Sequence, residues 1–425
     1  MSRLCPKDAG AAVHAQSEES AGRDAAKEES DDMILRKLQQ SEHWKTRALW
    51  EEVFTEDTKA FLDYYYYIKT RDNEIYVVEE EGEISSMLQL NPYQLMIEGG
   101  AFPSAYIIAV ATKEERRGRG YMGALLRTSL NDMYKKKVPF TFLMPAAEAI
   151  YTPYDFRFVY DQDTGTVEPG KTGDAEENSG VEDCSYSDAA LWEAEEIADF
   201  VQENFAPEWQ VYALRNAPYY QTMIMEQQSE RGGVRLLQSG GSLKGVYAYA
   251  AEGGLEIREP LYLPGYESAF LQSVSELYRE LSDRGAIADE GEKAAVRVYA
   301  CPANISTGKK PVIMVRIVCL EELLKAMTVP EGTAVDCSFA VLDPIIRQNS
   351  RVWRITSGED ETVLHVRETE DSEGVLTIAG LTEFLFGRLT VDELACCDDV
   401  IMTECLGAEL AKITKLTKVF LNEVV

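Results

Sequence analysis

Val110-Ala111-Thr112-Lys113-Glu114-Glu115-Arg116-Arg117-Gly118-Arg119-Gly120-Tyr121-Met122 joins an expected strand to an expected helix through a loop of arginine and glycine. The residues before it, Ala105-Tyr106-Ile107-Ile108-Ala109-Val110, are apolar and partly β-branched, as a buried strand requires. After it, Met122, Leu125, Leu126, Leu130 and Met133 recur every three or four residues, which places them on one helix face. A helix N-terminus leaves backbone N–H groups without acceptors, and its dipole favours an anion such as a pyrophosphate. Gly118 and Gly120 let an anion approach the backbone without an intervening Cβ, and Arg117 and Arg119 can add charge-assisted contacts. The competing reading is a basic surface turn that binds nothing; the flanking strand and helix favour the cradle. No Gly-Lys-Ser/Thr follows, so the loop is not a P-loop, and the three-glycine dinucleotide spacing is absent.

Working outward, the 425 residues suggest two to four domains, and 45% hydrophobic with 27% charged residues is a globular composition. A net charge of −31 argues against a nucleic-acid partner and favours cationic ones. The eight cysteines are scattered with no CxxC pair and read as buried thiols of a reducing compartment. Neither the apolar core of a signal peptide nor a membrane-spanning apolar run occurs, so the expectation is a cytoplasmic protein with no membrane partner. The three histidines, His14, His43 and His365, lie far apart. No metal site is expected, and proton transfer falls to tyrosine, carboxylates or the chain termini.

Residues 1–31 read as a disordered acidic tail. Residues 32–165 form a first α/β unit. It has helices over 41–55 and 57–69, strands over 74–79, 84–90 and 103–112, the loop and helix above, and a strand over 138–144. Residues 166–183 read as a linker. Residues 184–329 form a second unit, with helices near 187–204 and 267–284 and strands near 233–237, 243–251, 256–262, 295–300 and 311–320. Its strand–loop–helix passage at 256–267 resembles the first unit's but lacks the Arg-Gly residues. Residues 330–425 form a third unit of alternating strands and short helices. It ends on an apolar tail, Val419-Phe420-Leu421-Asn422-Glu423-Val424-Val425, which implies a C-terminal carboxylate held inside the protein.

The run Arg117-Gly118-Arg119-Gly120-Tyr121-Met122, the strand after it, and Ile150-Tyr151 through Phe156 resemble the GCN5-related N-acetyltransferases (GNAT), whose motif is Arg/Gln-x-x-Gly-x-Gly/Ala. Met122 departs from the final small residue. The three-unit layout and apolar C-terminus look like a narrower group, the Eis-type (enhanced intracellular survival) acetyltransferases. The resemblance implies an α/β (α+β) fold: two tandem GNAT-type units, the second degenerate, plus a C-terminal sterol-carrier-protein-like α+β domain. It implies acetyl-CoA as co-substrate and a direct transfer to primary amines of cationic acceptors: an aminoglycoside, a polyamine or a lysine side chain. Val110, Ala111 and Thr112 would face the pantetheine, the amides of Gly118, Arg119, Gly120, Tyr121, Met122 and Gly123 the pyrophosphate, and Ala146 and Ala147 the splayed cofactor. Tyr151 would be the general acid for the departing thiolate, or a packing residue beside the cofactor. The terminal carboxylate of Val425 would be the general base. Asp155 fits a left-handed turn. Tyr64, Tyr65, Tyr66 and Tyr67 follow the helices lining the acceptor cleft, where rings can hold cationic amines or simply pack. The family suggests a homo-oligomer, a hexamer. The alternative from another class is a non-catalytic CoA- or lipid-binding protein that uses the sterol-carrier-like domain.

Overall fold

The computed structural model describes residues 33–169, 184–287 and 295–423. The acidic tail 1–31, most of the linker 166–183, His14 and Val425 lie outside them. The N-terminal part supplies β1 (Ile34–Lys37), β2 (Glu74–Glu80), β3 (Glu83–Ile97), β4 (Gly100–Thr112), β5 (Phe140–Leu143) and β6 (Arg157–Val167). The middle supplies β7 (Cys184–Asp188), β8 (Val211–Ala213), β9 (Gly233–Ser239), β10 (Ser242–Ala250), β11 (Glu256–Tyr262), β12 (Val296–Tyr299) and β13 (Ser306–Ile317). The last part supplies β14 (Val335–Leu342), β15 (Val352–Ser357), β16 (His365–Thr369), β17 (Gly374–Thr377), β18 (Ile401–Met402) and β19 (Val419–Phe420).

One fourteen-stranded sheet runs β1-β2-β3-β4-β5-β13-β6-β12-β11-β10-β9-β7, with β8 joined to both β3 and β19. A separate five-stranded sheet has the order β16-β15-β14-β17-β18. Strand β13, which the sequence places in the second unit, is hydrogen-bonded to β5 on one edge and β6 on the other. Its continuous apolar run, Val312-Ile313-Met314-Val315, marks a central strand buried on both faces. Nothing in that run says which slot of which sheet it fills.

The first unit's strands are also covered on both faces. Ile75, Val77 and Met87 pack under the helices Arg47–Val53 and Lys59–Tyr67 with Trp50, Phe61 and Tyr65. Their neighbours Tyr76, Val78, Leu88 and Leu90 pack on the opposite face, under the helix Tyr121–Lys135. Period-two alternation sends each set to its own layer. The middle part repeats this plan: β11 leads through Gly265 (φ +88°) into the helix Glu267–Asp283. In both halves the strand before the helix carries a bulge on a non-glycine residue, Ala109 (φ +50°) in β4 and Glu259 (φ +52°) in β11.

Strand β6 and the helix Ala217–Ser229 are among the elements that escape the sequence reading. Strand β6 continues the Tyr151–Phe156 turn and ends inside the expected linker. The helix Ala217–Ser229 is capped by the Asn216 side chain, which accepts from the Tyr219 N–H, with a proline in its first turn. It is packed on several sides and buries Glu226 and Gln227 beside Tyr220 and Ile224, so it has no clean apolar stripe. The expected helix near 187–204 begins later, at Ala194, because Cys184–Asp188 adds a strand to β9. No helix among the described residues is long and apolar enough to cross a membrane.

Candidate functional site

Parallel strands β4 and β5 share a single register pair, Tyr106 with Phe142, and then part. Beyond it, Ile107–Thr112 has no strand partner on that edge among the described residues, and the bulge at Ala109 turns the backbone locally. Val110, Ala111 and Thr112 form one bank of the resulting cleft. Exposed Ala146 and Ala147 follow β5 on the other. Such a cleft offers unpaired peptide groups to a ligand that can pair like a strand.

The Arg-Gly loop follows β4 directly. Gly118 (φ +79°) and Gly120 (φ +82°) both adopt the left-handed conformation, and Gly120 is the N-cap of the helix Tyr121–Lys135. No side chain caps that terminus, so helix geometry leaves the N–H groups of Tyr121, Met122 and Gly123 available. At Gly123 a Cβ would lie 2.4 Å from the Tyr154 hydroxyl, so a larger residue there would have to displace that ring. The loop is braced from behind by buried Glu80, which accepts from the Tyr121 hydroxyl, Arg119 (3.4 Å) and Ser85 (3.2 Å), with Arg116 at 3.2 Å. The Tyr121 bond, above the other contacts, holds the Glu80 carboxyl below its usual range. Exposed Arg117 donates to the Thr112 carbonyl (3.3 Å).

Tyr151 closes the short helix Glu148–Tyr151 and is 7% exposed. Its ring sits edge-on to Phe156 (5.8 Å between centroids), and burial pushes its phenol up to about 12. The turn that follows is fixed by Asp155 at φ +65° and by Arg316 of β13, whose Nε donates to the Tyr154 carbonyl (2.9 Å). Arg316 is fully buried against Asp343 (2.6 Å), which ties the turn to the C-terminal part of the chain.

Beside the cleft lies a cavity of about 440 Å³ that Met144, just past the end of β5, also lines. Its wall carries four carboxylates, Glu226, Glu256, Glu259 and Glu423, against two cations, Lys69 and Arg258. Glu226 accepts from the Tyr64 hydroxyl (3.2 Å), and burial raises its carboxyl to about 7. Glu423 accepts from Arg215 (3.3 Å) and Tyr219 (3.2 Å) and is raised to about 7 by the same cause. Burial likewise lowers the Lys69 ammonium, which donates to the Tyr93 hydroxyl (3.2 Å). Of the four consecutive tyrosines, Tyr64 reaches this cluster and Tyr65 bonds Asn91 (2.8 Å). Tyr66 bonds Thr46 (2.9 Å), and Tyr67 faces solvent.

None of these cavity-lining residues was singled out from the sequence; Tyr64, which was, meets them through its bond to Glu226. They come from five distant segments, and Glu226 sits on the unrecognised helix. Glu423 alone carried a signal, as the one charge in the apolar tail Val419–Val425. The tail's described end is buried where β19 pairs with β8.

Residues 35–159 match the family described as acetyltransferase (GNAT) domain, and residues 320–424 the family described as sterol carrier protein domain. The first part of the chain is thus an acetyltransferase (GNAT) domain, which makes the protein an enzyme of acyl transfer, and its last part is a sterol-carrier-type domain; the middle part repeats the strand–loop–helix plan of the first without the Arg-Gly loop. Among solved structures it is similar to a conserved protein of Enterococcus faecalis described as a probable N-acyltransferase. Identity is 19% over 92% of this chain and 99% of that one, with a TM-score of 0.75. It is also similar to a GCN5-related N-acetyltransferase from Kribbella flavida (15% identity, 92% and 99% covered, TM-score 0.71). A third is Eis1 from Mycobacterium abscessus (15% identity, 92% and 100% covered, TM-score 0.65). These likenesses establish a common fold. No curated protein matches the chain.

Proposed function

We propose that this protein transfers an acetyl group from acetyl-CoA directly to a primary amine of a cationic acceptor: an aminoglycoside, a polyamine or a lysine side chain. The observation that carries the reading is the meeting of two features at Met144: the β4–β5 cleft, and a cavity whose wall holds four carboxylates against two cations. Acetyl-CoA would supply the activated thioester. Val110, Ala111, Thr112, Ala146 and Ala147 would border its pantetheine. The N–H groups of Gly118 through Gly123, with Arg117, would hold its pyrophosphate. Tyr151 would protonate the leaving thiolate, and the terminal carboxylate of Val425 would take a proton from the attacking nitrogen. Burial of Glu423, two residues earlier, in the cavity wall supports that placement of the chain end. The same reading makes the protein a homo-oligomer, a hexamer as in the family it resembles.

Two measurements test it. Calorimetry is expected to give one acetyl-CoA per chain, weakened about tenfold by Arg117→Ala, the order of one lost charge-assisted contact; no binding by folded protein would end the reading. Thiol release with a panel of amines is expected to show turnover that a few residues added after Val425 reduce about a hundredfold or more while acetyl-CoA binding persists. Full activity of the extended chain would remove Val425 from the mechanism.

A further inference from the structure

Acetylation of an alkylammonium takes two protons from one nitrogen: the first before its lone pair can attack, the second as the amide forms. The terminal carboxylate accounts for one. We propose that the Glu423 side chain receives the other, converting the bound ammonium to the neutral amine; this deepens the transfer reading above and rests on it.

The geometry is that of a buried carboxylate with one oxygen held by side chains and the other unpaired: Glu423 Oε1 accepts from Arg215 and the Tyr219 hydroxyl, while Oε2 has no hydrogen-bond partner among the described residues. The residue is 3% exposed, yet it lines the cavity that reaches Met144. Arg215 does not neutralise it alone. That guanidinium is shared with Glu259 and stacked near the rings of Tyr219 (4.9 Å), Phe420 (5.0 Å) and Trp209 (5.6 Å). The other titratable groups around Glu423 are Lys69, Tyr93 on β3, Tyr106 on β4, Tyr160 on β6, and Tyr219 and Tyr220 on the helix Ala217–Ser229. Every tyrosine among them is raised by burial and stays neutral at physiological pH. Burial outweighs the attraction of Arg215 and lifts the Glu423 carboxyl to about 7. A base poised there is ionised often enough to accept a proton and weak enough to release it to water.

The step balances. Glu423 carboxylate and R–NH₃⁺ give Glu423 carboxylic acid and R–NH₂. The nitrogen lone pair forms the C–N bond at the thioester carbonyl as the C–S bond breaks. The nitrogen's second proton passes to the terminal carboxylate and Tyr151 protonates the thiolate. One proton is released overall.

The test compares an alkylamine with its β,β,β-trifluorinated analogue, whose electron-poor nitrogen is already neutral at pH 7. For wild-type protein and the alkylamine, kcat/KM is expected to fall as pH drops through about 7, where the carboxylate is lost. Glu423→Gln should lower the neutral-pH value about a hundredfold for the alkylamine and no more than about threefold for the fluorinated amine. Its alkylamine rate should recover as pH approaches the ammonium's own pKa. Equal losses on both amines would give Glu423 a structural role only and overturn the assignment. Wild-type protein alone supplies a second reading, because the acid limb should be present for the alkylamine and absent for its analogue; the same limb for both also overturns it. Transfer to neither amine would sink the acetyl-transfer reading itself, a result distinct from either of these.

Discussion

Tyr151→Phe is expected to lower kcat by about a hundredfold or more and to leave the KM for acetyl-CoA within about threefold, in the range of a lost general acid. A thiolate departs poorly without a proton, and phenylalanine keeps the ring against Phe156 while deleting the donor. Because burial raises the phenol to about 12, its proton stays in place across the working range and Tyr151 should impose no alkaline limb below that pH. Steady-state kinetics of the folded variant decide the matter. An unchanged kcat would reduce Tyr151 to a packing residue. A higher KM with unchanged kcat would mean that it holds the donor rather than protonating the leaving group.

The largest stability effect is expected at Asp343→Ala, about 3–5 kcal/mol in urea unfolding, the cost of leaving one member of a buried ion pair without its partner. Asp343 accepts from Arg316 (2.6 Å), from the N–H groups of Ile345 (2.9 Å) and Ile346 (2.8 Å), and from Asn349 (2.9 Å). Without it, fully buried Arg316 keeps the Tyr154 and Ile317 carbonyls and Asp155 at 3.6 Å. Replacing both partners, Arg316→Met with Asp343→Leu, should recover part of the loss, since no isolated charge then remains. A single-variant cost below about 1 kcal/mol would show that water reaches the pair. The turn after Tyr151 hangs from the same guanidinium, so kcat should fall with stability in the single variant.

The geometry of the Arg-Gly loop and its helix was legible because its information is local. Gly118 and Gly120 announce positive φ in their own identity, and the stripe from Met122 to Met133 announces a helix. Asp155 likewise carried its left-handed turn in its residue type. The cavity lined by carboxylates was not legible, because no segment contains it. Lys69, Tyr93, Glu226, Glu259 and Glu423 each look like an ordinary surface or strand residue until the sheet order brings them together. The helix Ala217–Ser229 failed to register for a related reason: it buries Glu226 and Gln227, so its inward face is partly polar. Strand β6 reads as irregular because Asp161, Gln162, Asp163 and Thr164 interrupt its apolar alternation.

The slot of β13 has a consequence for how this chain comes to be. When synthesis passes Val167, β5 and β6 both exist, but the strand that separates them does not. At about 5–20 residues per second, the ribosome needs on the order of 8–30 s to deliver Ile317. Through that interval the Tyr151 turn lacks Arg316, and the inner edges of β5 and β6 are open to other strands. Synthesis of the first half therefore ends long before its sheet can close, and the last step of its folding waits on residues at the far end of the second unit.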